Sequence, residues 1–336
     1  MVKIKNYSVK FLLIILILIS KNISSKESLL IVGSQSVYPF ASLVANSLSS
    51  YSSNNIKIIP SNTKDGHYFF CSGIGDKYPD IVMSSRAQNT EEIKLCMDNK
   101  VNEVIEIRIG NDGIALVYSA DHTFKYLDSS KSNTKISLTK NQIWQAIARD
   151  NRNSPKKWSD IDENLPDEQI LISMPPLSSG TRNVFDILVM KKGCIKEMLV
   201  KNGDCIMHRE DGHVILSEND KKLHIENIYQ TKGMFGILEY SFVTKKIEKL
   251  NTIKINGKNI SIENIQNDHY PISRPLFLYV KKTHTYNLEI ILDFVREFIS
   301  EKATEGYLYN AGLGQLNSVD RAKMLDIISN QKNYYK

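Results

Sequence analysis

Short apolar runs that break off in hydroxyl-rich turns recur along this chain, and most of the turns lead into a helical period. "SLLIVGS" reads as a buried strand. "QSVYPF" follows it, and Pro39 opens a helix without losing a hydrogen bond; Phe40, Leu43, Val44 and Leu48 then share one face. "NIKIIP" predicts a strand that stops at Pro60, and "PDIVMSS" predicts another. "EVIEIRIG" and "GIALVYSA" read as two strands joined by the turn "NDG". "SLTKNQIWQAIAR" predicts a helix whose start carries Thr139 and Gln142 as a capping box. "EQILISM" and "PLFLYVKK" add strands, and "GMFGILEYSFV" is apolar and punctuated by glycine. A long helix is expected from Thr285 to Glu301, with Leu288, Ile291, Leu292, Val295, Phe298 and Ile299 toward a core. Strands alternating with helices in this way predict an α/β fold. The polar stretches 121–133, 150–157 and 245–268 are expected at the surface as linkers.

A chain of 336 residues has room for two domains, and 42% hydrophobic with 24% charged residues excludes a disordered polymer. The start differs from the rest. "MVKIKNYSVK" is basic, "FLLIILILI" is unbroken apolar sequence, and small residues follow. Residues 1–25 are therefore expected to be a cleaved secretory signal peptide, which places the mature chain in the periplasm. The apolar run is shorter than the roughly 20 residues a membrane-spanning helix needs. Removing Lys3, Lys5, Lys10 and Lys21 lowers the formal charge from +6 (43 basic, 37 acidic) to +2 (39 against 37), so the basicity is targeting and gives no nucleic-acid footprint. An even number of cysteines in an exported chain favours disulfides, and the spacing suggests Cys71–Cys96 and Cys194–Cys205. Without a CxxC pair or a histidine at ligand spacing, no metal site and no cofactor are expected.

Four strand ends carry the chemistry. "PPLSSGTRNVF" puts Ser178, Ser179, Gly180, Thr181 and Arg182 at a helix start, where Val184, Phe185, Leu188 and Val189 give the helical spacing and Gly193 the stop. Unpaired N–H groups, the helix dipole, two hydroxyls and a guanidinium there suit an anion. "VGSQSVYPF" places Ser34, Gln35 and Ser36 in the same grammar; "DIVMSSR" ends in Ser85 and Arg86; Thr63 lies just past a strand end. One such serine alone is more simply a helix cap. Four together point to a small-oxyanion site beyond the carboxyl ends of the strands. Arg209 in "HREDG" either reaches the anion or pairs with Glu210 or Asp211. Trp144 and Trp158 are expected to be packing residues, and His208 and His213 polar-network residues.

Taken jointly, "IVGSQSVYPFA", "FFCSGIGDKYPDIVMSSR", "IGNDGIALVYS", "WSDIDENLPD", "PPLSSGTRNVF", "HREDG", "GILEYSF" and "YPISRPLFLYVKK" resemble the periplasmic phosphate-binding proteins of ABC uptake systems, over nearly the whole mature chain. The resemblance implies a two-lobed Venus-flytrap fold: residues 26–114 and 273–336 in one lobe, 115–272 in the other, with "NDGIALV" and "ISRPLFL" as crossing hinge strands. It implies a monomer that binds inorganic phosphate between the lobes, does no bond-making chemistry, and delivers the ligand to a membrane permease. The departures are Lys64-Asp65-Gly66 where relatives have a glycine-rich run, "GSQSV" for a "GSSTV" pattern, and Asn183 for an aspartate. Some relatives accept the ligand proton on an aspartate near the Ser85 position; here a hydroxyl or Arg86 stands there, and Asp65 is either a substitute acceptor or a solvated loop carboxylate. These departures keep alternatives open: another oxyanion, a phosphorylated metabolite, a phosphatase-like enzyme, or a surface protein that has lost the ligand.

Overall fold

A computed structural model describes residues 28–49, 55–128, 130, 135–149, 154–177, 179–194, 204–217, 221–245 and 248–335. The expected signal peptide and Ser178 lie outside the described residues. The fold is α/β with two lobes joined through one long sheet. Its strands are β1 (Ser28–Ser34), β2 (Asn55–Ser61), β3 (Ile81–Ser84), β4 (Val104–Ser119), β6 (Ile172–Met174), β7 (Val214–Leu216), β8 (Phe235–Glu239), β9 (Leu250–Thr252) and β11 (Ser273–Lys281). The order is β2-β1-β3-β11-β4-β8-β6-β7, with β9 also on β4; β5 (Ser137–Leu138) and β10 (Lys254–Ile255) pair separately.

At one end β1 lies between β2 and β3, all parallel. At the other, β6 runs parallel to β7 and β8. Parallel neighbours need crossovers, and here these are helices, which cover both faces. Hence β3 opens on the apolar run Ile81, Val82 and Met83, and every residue of it, Ser84 included, is buried. β2 is an edge strand, so Pro60 does not end it: the strand continues to Ser61, with Pro60 opposite Gly33.

The expected turn "NDG" does not form. β4 runs unbroken through Asn111, Asp112 and Gly113. Its first part pairs antiparallel with β11, from Val104–Lys281 to Gly113–Ser273, and its last part with β8 and β9. The left-handed backbone needed locally sits at Gly110 (φ +144°), beside a register shift at Leu276/Phe277. Gly113 is small for another reason: a methyl there would lie 2.6 Å from Ile265 Cδ1. β4 is therefore one crossing strand, and β11, entered from Ile272, is the second.

Buried apolar side chains group accordingly. One cluster draws on Ile114 to Ile272 and includes Trp144 and Trp158. The others draw on Leu29 to Ile109 and again on Leu276 to Tyr335. Phe40 and Val44 of the helix Tyr38–Ser49 are in the core, with Leu43 and Leu48 half-buried beside it. The helix expected over 285–301 is shorter, Ile290–Phe298, and a separate turn of helix covers Lys282–Thr285; Ile291, Val295, Phe298 and Ile299 are buried as expected. Thr139 and Gln142 form the capping box of the helix Lys140–Ile147. Both disulfides, Cys71–Cys96 and Cys194–Cys205, are present.

Candidate anion-binding site

Three neighbouring strand tips build one wall. β1 ends at Ser34; the Gln35 N–H donates to Ser61 O of β2 (2.9 Å), and the Ser36 N–H donates to Ser34 Oγ (3.3 Å). After β2, Asn62 caps the helix Thr63–Phe70 by accepting from the Asp65 N–H at 2.8 Å. Lys64, Asp65 and Gly66 are thus the first turn of a helix, and Asp65 is exposed and bonded to the Asn62 amide. Gly66 presses that turn onto β1: a methyl here would meet Gly33 Cα at 2.6 Å. Just past β3, Ser85 Oγ lies 3.0 Å from Thr63 Oγ1, and the Ser85 N–H also reaches Thr63 Oγ1. Ser34, Ser36, Thr63 and Ser85 are all buried hydroxyls.

The opposing wall comes from the other lobe. Beyond β6, Ser179 caps the helix Gly180–Phe185 by accepting from the Thr181 N–H (3.2 Å). Helical backbone continues through a wide turn, Asp186–Met190, to Gly193, the expected stop of the helix. The Thr181 hydroxyl donates to Oε1 of Glu239, the last residue of β8.

The two walls meet. A methyl on Gly180 would stand 3.8 Å from Ser85 Oγ and 3.9 Å from Ser36 Oγ. Between them is a cavity of ≈ 20 Å³. Ser34, Gln35 and Ser36 line it from β1, Ser61, Asn62 and Thr63 from β2, and Ser179, Gly180 and Glu239 from the far lobe. Pockets for drug-sized ligands run to about 300–1,000 Å³, so only a small guest fits. A larger cavity of ≈ 470 Å³ among Tyr118, Phe124, Tyr126 and Tyr240 shares no residue with it.

Three arginines named from the sequence do not line the cavity. Arg86 forks onto both oxygens of Glu92 (2.6 and 2.9 Å); burial works against ionisation of that carboxyl, yet the Arg86 bonds hold it below its usual range. Arg209 grips Asp211 and donates to Pro155 O (2.6 Å), so the pairing alternative is the one observed. Arg182, 1% exposed, donates from Nε to both Asp186 oxygens and approaches His208; its Nη1 has no hydrogen-bond partner among the described residues. Sequence reasoning missed a different arginine. Arg274 of β11 donates to Asp112 Oδ2 across the hinge pair (3.1 Å) and to Gly180 O (3.2 Å). Its only sequence signal was its place in a predicted hinge strand. Burial pushes Asp112 up to about 6; Arg274 opposes that rise and Glu239 adds to it. Beneath Ser84, burial pushes His67 down to about 4. Among the described residues no group of three or more His, Cys, Asp or Glu is gathered as a metal site requires.

The fold has known counterparts. The family model of the PBP superfamily domain matches residues 20–302. The chain belongs to the PBP superfamily. Within it, the chain is similar to Protein SphX of Synechocystis sp., 28% identical over 304 residues, 86% of this chain and 82% of that protein. It is also similar to the phosphate-binding protein PstS of Staphylococcus haemolyticus, 28% identical over 228 residues, 66% and 62% of the two chains. Among solved structures, a putative phosphate ABC transporter substrate-binding protein from Clostridium perfringens, with bound phosphate, superposes with a TM-score of 0.62 at 21% identity, covering 86% of this chain and all of that one. That likeness confirms the PBP fold. No helix among the described residues is long and apolar enough to cross a membrane.

Proposed function

We propose that this PBP-superfamily protein captures inorganic phosphate between its lobes and hands it to the membrane permease of an ABC transporter, without bond-making chemistry. The observation that carries the reading is the meeting of Ser36 with Gly180 at a cavity of ≈ 20 Å³, with Ser85 close to Gly180 beside it. The lobes are taken as 26–114 with 273–336, and 115–272, a division supported by the separate apolar clusters on either side of Asp112 and Ile272. The ligand would accept from the hydroxyls of Ser34, Ser36, Thr63 and Ser85 on one side, and from Ser179 and the backbone at Gly180 on the other, with Thr181 holding Glu239 beside them. Gln35, exposed at the rim, would cover the mouth. Arg86, Arg182 and Arg209, each paired with a carboxylate, would act by bracing the segments around the cleft. An anion so placed leaves water only if nearly every oxygen is bonded. Charge-assisted bonds contribute about 1.5–3 kcal/mol each, and micromolar affinity needs only about 8 kcal/mol net. The cavity's size favours a free oxyanion over a phosphorylated metabolite. The phosphate-binding names of the relatives point the same way, and the basic, apolar start supports export to the periplasm, where a monomer would act.

Isothermal titration with inorganic phosphate tests the reading. One site per chain with micromolar or tighter affinity is expected, with no release of phosphate from phosphate esters, with or without divalent metals. No binding heat and no thermal shift at millimolar phosphate would overturn it.

A further inference from the structure

We infer that Arg274 is a two-position latch on the cleft: its guanidinium bridges the lobes while they are shut and turns wholly onto Asp112 when they part. This rests on the two-lobed phosphate-capture reading and deepens it by naming a positioning residue that governs entry and release of the ligand.

Arg274 does not line the cavity; it acts through Gly180, which does. It stands on β11 directly opposite Asp112 of β4, and both side chains are almost wholly buried. Nη2 donates to Asp112 Oδ2 (3.1 Å) and Nη1 to Gly180 O (3.2 Å). The first bond stays between the paired hinge strands. The second crosses to the helix Gly180–Phe185 of the other lobe, so it is made only while the walls are together. At 3.2 Å it lies at the long end of the N–H···O range, and a small opening breaks it. The peptide it grips also carries the Thr181 N–H, which donates to Ser179 Oγ (3.2 Å). Arg274 therefore sets the tilt of a peptide at the cavity wall.

Two missing bonds reveal the second position. Nε of Arg274 and Oδ1 of Asp112 are buried and have no hydrogen-bond partner among the described residues. The Gly113 N–H supports the carboxylate's charge without closing a bond on Oδ1. Buried polar atoms left in this way are costly. Nε and Nη2 form one edge of the guanidinium, and Oδ1 and Oδ2 form the matching edge of the carboxylate, which is the pairing of a two-bond fork. Held by Gly180 O, the guanidinium meets Asp112 through one bond. Released, it turns slightly and makes the fork, which satisfies both atoms. Closing thus exchanges a bond to a carboxylate for a weaker one to a neutral carbonyl. The unliganded chain favours the parted form, and the ligand's bonds to both walls drive closure.

Wild type, R274K and D112N are compared at neutral pH, where the Asp112 carboxyl, pushed up to about 6 by burial, is ionised. Small-angle X-ray scattering gives the radius of gyration with and without inorganic phosphate, stopped-flow gives its association and dissociation rates, and a thermal melt checks folding. The wild-type radius should fall on adding phosphate. In R274K the single ammonium stays with Asp112 and the bridge is lost, so dissociation should quicken at least about fivefold with association within about twofold. In D112N the fork is lost, so the unliganded chain should be more compact than wild type. Association should slow at least about fivefold while dissociation does not quicken. A merely structural role would instead quicken dissociation in both variants, and that result overturns the latch. Wild-type dissociation in R274K, or a D112N chain as open as wild type without phosphate, also overturns it; either variant alone suffices if the other folds poorly. Normal phosphate binding by the wild type with unaltered variants would sink the latch and leave phosphate capture standing. A wild type that binds no phosphate would sink phosphate capture, and the unliganded radii would then judge the latch by themselves.

Discussion

A methyl group on Gly180 would fill the space between Ser36 and Ser85 without a clash, since both oxygens would stand at ordinary contact distance. G180A is therefore expected to keep its melting temperature within about 2 °C and to weaken phosphate binding roughly 10- to 100-fold, about 1–3 kcal/mol. Titration and a thermal melt check both halves. Two buried groups set the acid response. Asp112 has its carboxyl raised from 3.8 to about 6, so the folded chain holds that proton more tightly than the unfolded one, and stability from this group grows as pH falls through 6. His67 is lowered from 6.5 to about 4, so its contribution is present above 6.5 and is lost as pH falls toward 4. At about 1.4 kcal/mol per unit, each is on the order of 3 kcal/mol and they oppose one another. D112N removes the compensating one. Its denaturation midpoint should fall more steeply than wild type between pH 6.5 and 4.5, and parallel profiles would contradict the assignment.

At the scale of elements, the Cys71–Cys96 bridge ties the end of the helix Thr63–Phe70 to the helix Thr90–Asp98, closing a separation of 25 residues. Both sulfurs are fully buried. In the chain-entropy view such a loop contributes about 3.5 kcal/mol. C71A/C96A should lower the melting temperature by at least about 5 °C, and phosphate affinity should fall too, because Thr63 heads the loosened helix; a melt and a titration report each. The strand tips were legible in the sequence because their signals are local: an apolar run, then hydroxyls, then a helical period. β4 was not. "NDG" is a common turn, and the β11 pairing, the backbone pairing of Asn111 with Gly314 and the tight packing of Gly113 on Ile265 keep it extended. The arginines were misjudged for a related reason. A guanidinium beside a hydroxyl cluster suggests an anion, but Arg86, Arg182 and Arg209 each sit within reach of a carboxylate close in sequence.

Across the whole molecule, residues far apart in sequence are brought together by the double crossing of β4 and β11. Asp112, Gly180, Glu239 and Arg274 share one neighbourhood because those strands join the lobes there. No periodicity or spacing announces such a meeting. Only the resemblance of many separated stretches to phosphate-binding proteins pointed to it, and it did so at the level of lobes and hinge, without Glu239 or Arg274. A hinge at this place lets the walls part to admit a ligand and shut to strip its water. The most direct measurement is a crystal structure of the mature chain grown with inorganic phosphate. One phosphate is expected within hydrogen-bonding distance, about 2.6–3.2 Å, of Ser36, Thr63 and Ser85 from one lobe and of Ser179 and Gly180 from the other. A phosphate bound to one lobe alone, or an empty cleft at saturating phosphate, would contradict it.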